Sequence, residues 1–68
     1  MPEVTTPRSP WTPAAIRALR LRLGLTQADF AQAVGARAPQ ISRWESGAAH
    51  PIPIFRSKLD ELVRRAQR

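Results

Sequence analysis

Residues 26–47, TQADFAQAVGARAPQISRWESG, predict two short helices that meet at a tight turn. Thr26 is a suitable N-cap for the first helix, and Phe30 and Val34 lie four residues apart on what should be its buried face. Gly35 can adopt the left-handed backbone conformation that ends a helix and lets the chain change direction. The stretch therefore predicts a helix, a glycine turn and a second helix.

The second helix has a clear buried side and an unusual beginning. Ile41 and Trp44, three residues apart, should both face the core, and Gly47 supplies another helix end. Trp44 is thus predicted to be a core residue rather than a surface for stacking bases. Pro39 disfavours helical geometry at the residue before it, so we expect Pro39 at the first helical position, with Ala38 as a poor cap.

These residues together resemble the phage-repressor-like helix-turn-helix family, also called the Cro/repressor or XRE family. The resemblance covers about residues 14–63 and implies an all-α, lambda-repressor-like domain of four helices, or of five if the last one is divided. It also implies that the second helix of the motif, about residues 38–46, enters the major groove of DNA. The positions that carry the resemblance are the helix opener Gln27, the small contact residue Ala31, the turn residue Gly35, and the buried pair Ile41 and Trp44.

The resemblance also implies which side chains read the bases. In the family, polar residues at the start of the second motif helix contact base edges, but the matching positions here are the apolar Ala38 and Pro39. Readout should then shift along the helix, with Gln40 forming a bidentate pair with adenine and Arg43 a bidentate pair with guanine. Ala38 or Pro39 could contact the methyl group of a thymine.

Other residues should contact the DNA backbone or hold the helices together. The family's glutamine at the position of Gln27 binds a phosphate, and Arg37 and Ser42 are further candidates for backbone contacts. For Gln27 and Arg37 the alternative is an ordinary solvated side chain. The family also pairs an arginine at the position of Arg20 with a glutamate at the position of Glu45, which implies a structural ion pair between the first helix and the end of the second motif helix.

Composition restricts the class of protein. A chain of 68 residues has room for one domain, and its net charge of +6 favours a polyanionic partner, either nucleic acid or an anionic membrane surface. Without cysteine it has no disulfide framework and no thiolate metal site, and no apolar run is long enough for a signal sequence or a membrane span. We therefore expect a cytoplasmic protein that does not enter a membrane.

The regions on either side of the motif complete the predicted organisation. Residues 1–10 contain three prolines and should form a flexible arm, whereas residues 11–68 should form the helix-turn-helix domain. A first helix is predicted from about residue 13 to 23, and a last helix from Pro53 toward the end of the chain. A break near Ser57 would divide the last helix and give a fifth.

We weigh three classes of function, of which these patterns favour the first and disfavour the last. The favoured one is a transcriptional regulator that binds double-stranded DNA sequence-specifically, as a homodimer. The alternative is a protein-interaction module with the same fold, such as an antitoxin that binds a toxin or another regulator. One histidine and five carboxylates without a paired arrangement provide no plausible acid, base and nucleophile, so we expect no enzymatic activity, no metal and no cofactor.

Overall fold

The computed structural model describes residues 11–66, which form four helices and no strand. The helices are α1 (Pro13–Leu23), α2 (Gln27–Val34), α3 (Ala38–Ser46) and α4 (Pro53–Ala66). The predicted all-α fold is confirmed. A fifth helix is wrong for this part of the chain, because α4 continues through Ser57 without a break. The arm predicted over residues 1–10 lies outside the described residues.

Threonine caps start the first two helices. The Thr12 hydroxyl accepts a hydrogen bond from the Ala15 backbone N–H at 3.1 Å, and the Thr26 hydroxyl accepts one from the Asp29 backbone N–H at 3.1 Å. Pro13 occupies the first turn of α1, where its missing N–H costs no helical hydrogen bond. The predicted beginnings of both helices are therefore confirmed.

The turn between α2 and α3 is short because Gly35 closes α2 with a Schellman motif. Its φ is 82°, in the left-handed region, and its N–H bonds to the Gln32 carbonyl at 3.4 Å. The Ala36 N–H then bonds to the Ala31 carbonyl at 2.8 Å, so the chain has already turned away from the helix axis. Only residues 35–37 separate α2 from α3.

The core lies where the four helices meet. Phe30, Ile41 and Leu59 are completely inaccessible to solvent, so α2, α3 and α4 each contribute at least one fully buried side chain. Trp44 is also buried, as predicted, and its ring lies 5.3 Å from that of Phe55 at an interplanar angle of 54°. The remaining buried residues are Trp11, Ile16, Leu19, Ala31, Val34 and, in the loop before α4, Pro51.

A long-range hydrogen bond joins the start of the described chain to the last helix. The indole Nε1 of Trp11 donates to the Asp60 carboxylate at 2.9 Å, which links the residue before the N-cap of α1 to the middle of α4. Leu59, beside Asp60, fills the core under the other helices. Thus α4 covers the helix-turn-helix unit and is held against α1. No helix within residues 11–66 is long and apolar enough to cross a membrane.

We predict that Gly35→Ala destabilises the domain through backbone strain alone. A Cβ at this position would meet no atom within 4 Å, so steric contact is not the cause of the loss. The expected cost is about 1–2 kcal/mol, because the left-handed conformation disfavours any residue with a Cβ. Urea unfolding measures it, with Gly35→Asn as the matched variant that should lose less. A Gly35→Ala protein as stable as the wild type would contradict this account of the turn.

Candidate nucleic-acid interface

The outward face of α3 is the feature that could contact a large partner. Pro39, Ser42, Arg43 and Ser46 are exposed, whereas Ile41 on the opposite side is fully buried. This division follows from the helical period, since side chains three or four residues apart share a side. The buried pair Ile41 and Trp44 thereby fixes which side of α3 faces solvent.

The beginning of α3 differs from the sequence prediction. The N-cap is Arg37, with extended backbone angles, so that Ala38 holds the first helical position and Pro39 the second. The expectation of Ala38 as the cap and Pro39 as the first residue was wrong by one position. Proline is tolerated here because the N–H groups of the first turn have no helical partner in any case. The side-chain oxygen of Gln40 accepts the Arg37 backbone N–H at 3.0 Å and closes the start of the helix.

Arg20 of α1 and Glu45 of α3 form a two-pronged ion pair. Arg20 Nε donates to Glu45 Oε2 at 2.7 Å, and Arg20 Nη2 donates to Glu45 Oε1 at 3.1 Å. The side chains are only 14% and 7% exposed, so water screens the pair weakly. Arg20 Nη1 also donates to the Leu25 carbonyl at 3.1 Å, which fixes the loop between α1 and α2.

Gln27 joins this network, a contact that the sequence analysis did not foresee. Its side-chain amide donates to Glu45 Oε1 at 3.3 Å, so the Glu45 carboxylate contacts α1 and α2 from its position on α3. Gln27 is the first residue of α2, where the backbone N–H has no partner within the helix. The network therefore holds the start of α2, with its free backbone N–H groups, beside the end of α3.

The network changes the acidity of its charged groups. Burial raises the pKa of the Glu45 carboxyl, but hydrogen bonds from Arg20 and Gln27 and the positive charges of Arg20 and Arg17 outweigh it, so the pKa lies below its ordinary value of 4.5. The hydrogen bond to Glu45 raises the pKa of Arg20 further above its ordinary value, against the effect of burial. Both groups are therefore ionised at neutral pH.

The other predicted contact residues surround the exposed face of α3. Arg37 and Ser42 are exposed, and Ala38 and Gln40 are half-buried. A shallow cavity of about 180 Å³ lies beside this face. It places His50 near Gln40 and Arg43. The cavity is lined by Gln40, Arg43, Trp44, Ala49, His50, Ile52 and Phe55.

Comparison with known proteins identifies one family. A family model described as "Helix-turn-helix" matches residues 16–53, which is more than half of the chain and includes α2, the glycine turn and α3. The chain has no significant match among curated proteins or among solved structures.

We predict that Glu45→Gln destabilises the domain at neutral pH by about 1–3 kcal/mol, because Arg20 loses its buried counter-charge. The sign of the pH dependence follows from the lowered pKa of Glu45. The carboxylate stabilises the fold fully above pH 4.5, and this contribution is lost as the pH falls through the pKa of the folded state. Unfolding of both proteins between neutral and acidic pH should therefore show a difference that shrinks below pH 4.5.

Glu61→Gln is the matched control for this measurement. Glu61 lies 4.0 Å from Lys58 on the surface of α4, and both side chains are about half exposed. Removing this charge should change the stability by less than about 0.5 kcal/mol. Equal effects of the two substitutions would contradict the structural role of the Glu45 network.

Proposed function

Because the chain belongs to the XRE/Cro-repressor-like helix-turn-helix family of DNA-binding regulators, we propose that it binds double-stranded DNA sequence-specifically and regulates transcription by occupying its site. The observation that carries this proposal is the exposed face of α3, where Arg43 projects away from the buried Ile41. The net charge of +6 favours association with the phosphate backbone. The proposed activity is binding and not catalysis.

Arg43 is the strongest candidate for direct readout in the major groove. Its side chain is exposed and lies one turn from Pro39 on the same side of α3. A guanidinium can donate two parallel hydrogen bonds to guanine O6 and N7, which discriminates against the other bases. Pro39 and Ala38 offer apolar contact to a thymine methyl group, whereas the side-chain oxygen of Gln40, the other residue predicted to read a base, already accepts the Arg37 backbone N–H.

Contacts to the phosphate backbone would set the register of α3 in the groove. Arg37, the N-cap of α3, and Ser42, in the middle of the helix, are exposed and offer a charge and a hydroxyl. Gln27 supports the same role mainly through its backbone N–H at the start of α2, because its side-chain amide already donates to Glu45. These groups bind any DNA sequence, so they contribute affinity rather than specificity.

A homodimer on DNA is the proposed binding unit. Ile52 and Ile54 are 57% and 66% exposed at the junction between α3 and α4, and this apolar surface suits a second copy of the chain. Helix-turn-helix dimers place two copies of the recognition helix about 34 Å apart, one helical turn of DNA. Binding two half-sites at once would raise the affinity above that for a single half-site, because the second copy binds at a high effective concentration.

The salt dependence of binding tests whether DNA is the partner at all. We expect the logarithm of the affinity to fall linearly with the logarithm of salt concentration, by about 0.9 for each phosphate contact and by several units in total. Fluorescence anisotropy with a labelled duplex measures this slope. A slope near zero would favour the alternative, a protein-interaction module such as an antitoxin.

Two substitutions separate readout from backbone contact. Arg43→Ala should cost about 1–3 kcal/mol of binding at the preferred site and relax the preference at one base pair. Arg37→Ala, which removes an exposed charge at the N-cap of α3, should weaken binding to all sequences alike. Arg64→Ala is the matched control, because it removes the same charge from α4, outside the proposed contact set. An Arg43→Ala protein with unchanged selectivity in binding to randomised duplexes would exclude Arg43 from readout.

Ile54→Glu tests the proposed dimer. Ile54 lies in the first turn of α4, so an exposed glutamate there should leave the fold intact. The introduced charges would repel each other between the two copies, and affinity for a duplex with two half-sites should fall by about tenfold or more toward that for a single half-site. Leu21→Glu, at a similarly exposed position on α1, is the control. Equal binding by wild type and Ile54→Glu would exclude this surface from the dimer.

A further inference from the structure

The side-chain amide of Gln40 already forms a hydrogen bond within the protein. Arg37 occupies the N-cap position of α3, but a guanidinium has only donors and cannot accept the free N–H groups of the helix start. Instead, the side-chain oxygen of Gln40 reaches back one turn and accepts the Arg37 backbone N–H at 3.0 Å. This is the glutamine half of a capping box, without the serine or threonine that usually accompanies it.

The position of Gln40 on the helix agrees with this internal role. Gln40 and Trp44 are four residues apart and share a side of α3, and Trp44 is buried. Gln40 itself is half-buried at the edge of the cavity that includes His50 and Phe55. The fully exposed side of the helix is the one that carries Pro39 and Arg43.

Reading adenine would compete with this bond. A glutamine recognises adenine with its carbonyl oxygen and its NH₂ group together, in the plane of the base edge. The oxygen of Gln40 keeps a second lone pair, but its bond to Arg37 aligns the amide with the first turn of the helix. A bidentate contact to a base in the groove would require the side chain to turn outward and release the Arg37 N–H.

We propose that Gln40 is a positioning residue, which fixes the start of α3 and so holds Arg43 in register with the bases, and that it does not itself read a base pair. The inference rests on the proposed DNA-binding function and assigns selectivity within it. The capping bond sets where the first helical turn begins. Arg43 lies one turn further along the helix, so the position of its backbone relative to the bases is fixed by where the first turn begins.

Two substitutions of Gln40 separate capping from readout. Gln40→Glu keeps an acceptor oxygen at the same reach but removes the NH₂ donor, whereas Gln40→Met keeps the length of the side chain and removes the acceptor. Gln40→Met should lower the melting temperature by about 4–8 °C through loss of the cap, and Gln40→Glu should retain the wild-type value. Equal melting of Gln40→Met and wild type would overturn the capping role.

Selection of bound sites from a random duplex library then tests the role in recognition. We expect wild type and Gln40→Glu to select the same site, although the added negative charge weakens binding to every sequence alike. Gln40→Met should bind the site about tenfold or more weakly, because the position of Arg43 is no longer fixed, and Gln40→Glu should restore the ratio of specific to non-specific affinity. Arg43→Ala is the positive control, which should lose preference at a single base pair.

The outcomes distinguish this inference from the function on which it rests. If either Gln40 variant changes the preference at one base pair and leaves the others intact, Gln40 reads a base and the inference is wrong while the DNA-binding function stands. If the wild type selects no sequence at all, the proposed sequence-specific function fails, and the role assigned to Gln40 fails with it.

Discussion

The carboxylate of Glu45 is the contact on which the arrangement of the first three helices depends. It lies on α3, accepts two hydrogen bonds from Arg20 of α1, and accepts a third from Gln27 at the start of α2. A glycine turn alone would leave α3 free to vary in direction relative to α1. With the carboxylate in place, the end of α3 is joined to both preceding helices, and its beginning is held by the Gln40 cap. The helix is thus fixed at both ends before any partner binds, which reduces the entropic cost of binding.

The division of α3 into a buried and an exposed side links this packing to function. Ile41 and Trp44 fill the core together with Phe30 and Leu59, and their burial obliges Pro39 and Arg43 to face outward. The same hydrophobic contacts that stabilise so small a domain therefore also present the candidate readout side chain. A change in which residues of α3 face the core would therefore also change the direction in which Arg43 points.

Local signals made much of this structure predictable from the sequence. Threonine caps and closing glycines mark the bounds of α1 and α2, and apolar spacing identifies core residues such as Phe30 and Trp44. The start of α3 was predicted one residue too late. Proline is typical of the first helical position, whereas arginine is not a typical N-cap residue. The Arg20–Glu45 pair, 25 residues apart, followed only from the family resemblance, and two other contacts between residues distant in sequence were missed. The bond from Gln27 to Glu45 and that from Trp11 to Asp60 join positions 18 and 49 residues apart, and no local pattern encodes them.

The most direct test of the central claim is to map the surface that contacts DNA, by NMR titration of the ¹⁵N-labelled protein with a duplex carrying its selected site. The account predicts that amide shift changes concentrate along α3, especially near Arg43, and at the start of α2 near Gln27. Changes confined to the outer surfaces of α1 and α4, with α3 unaffected, would contradict it.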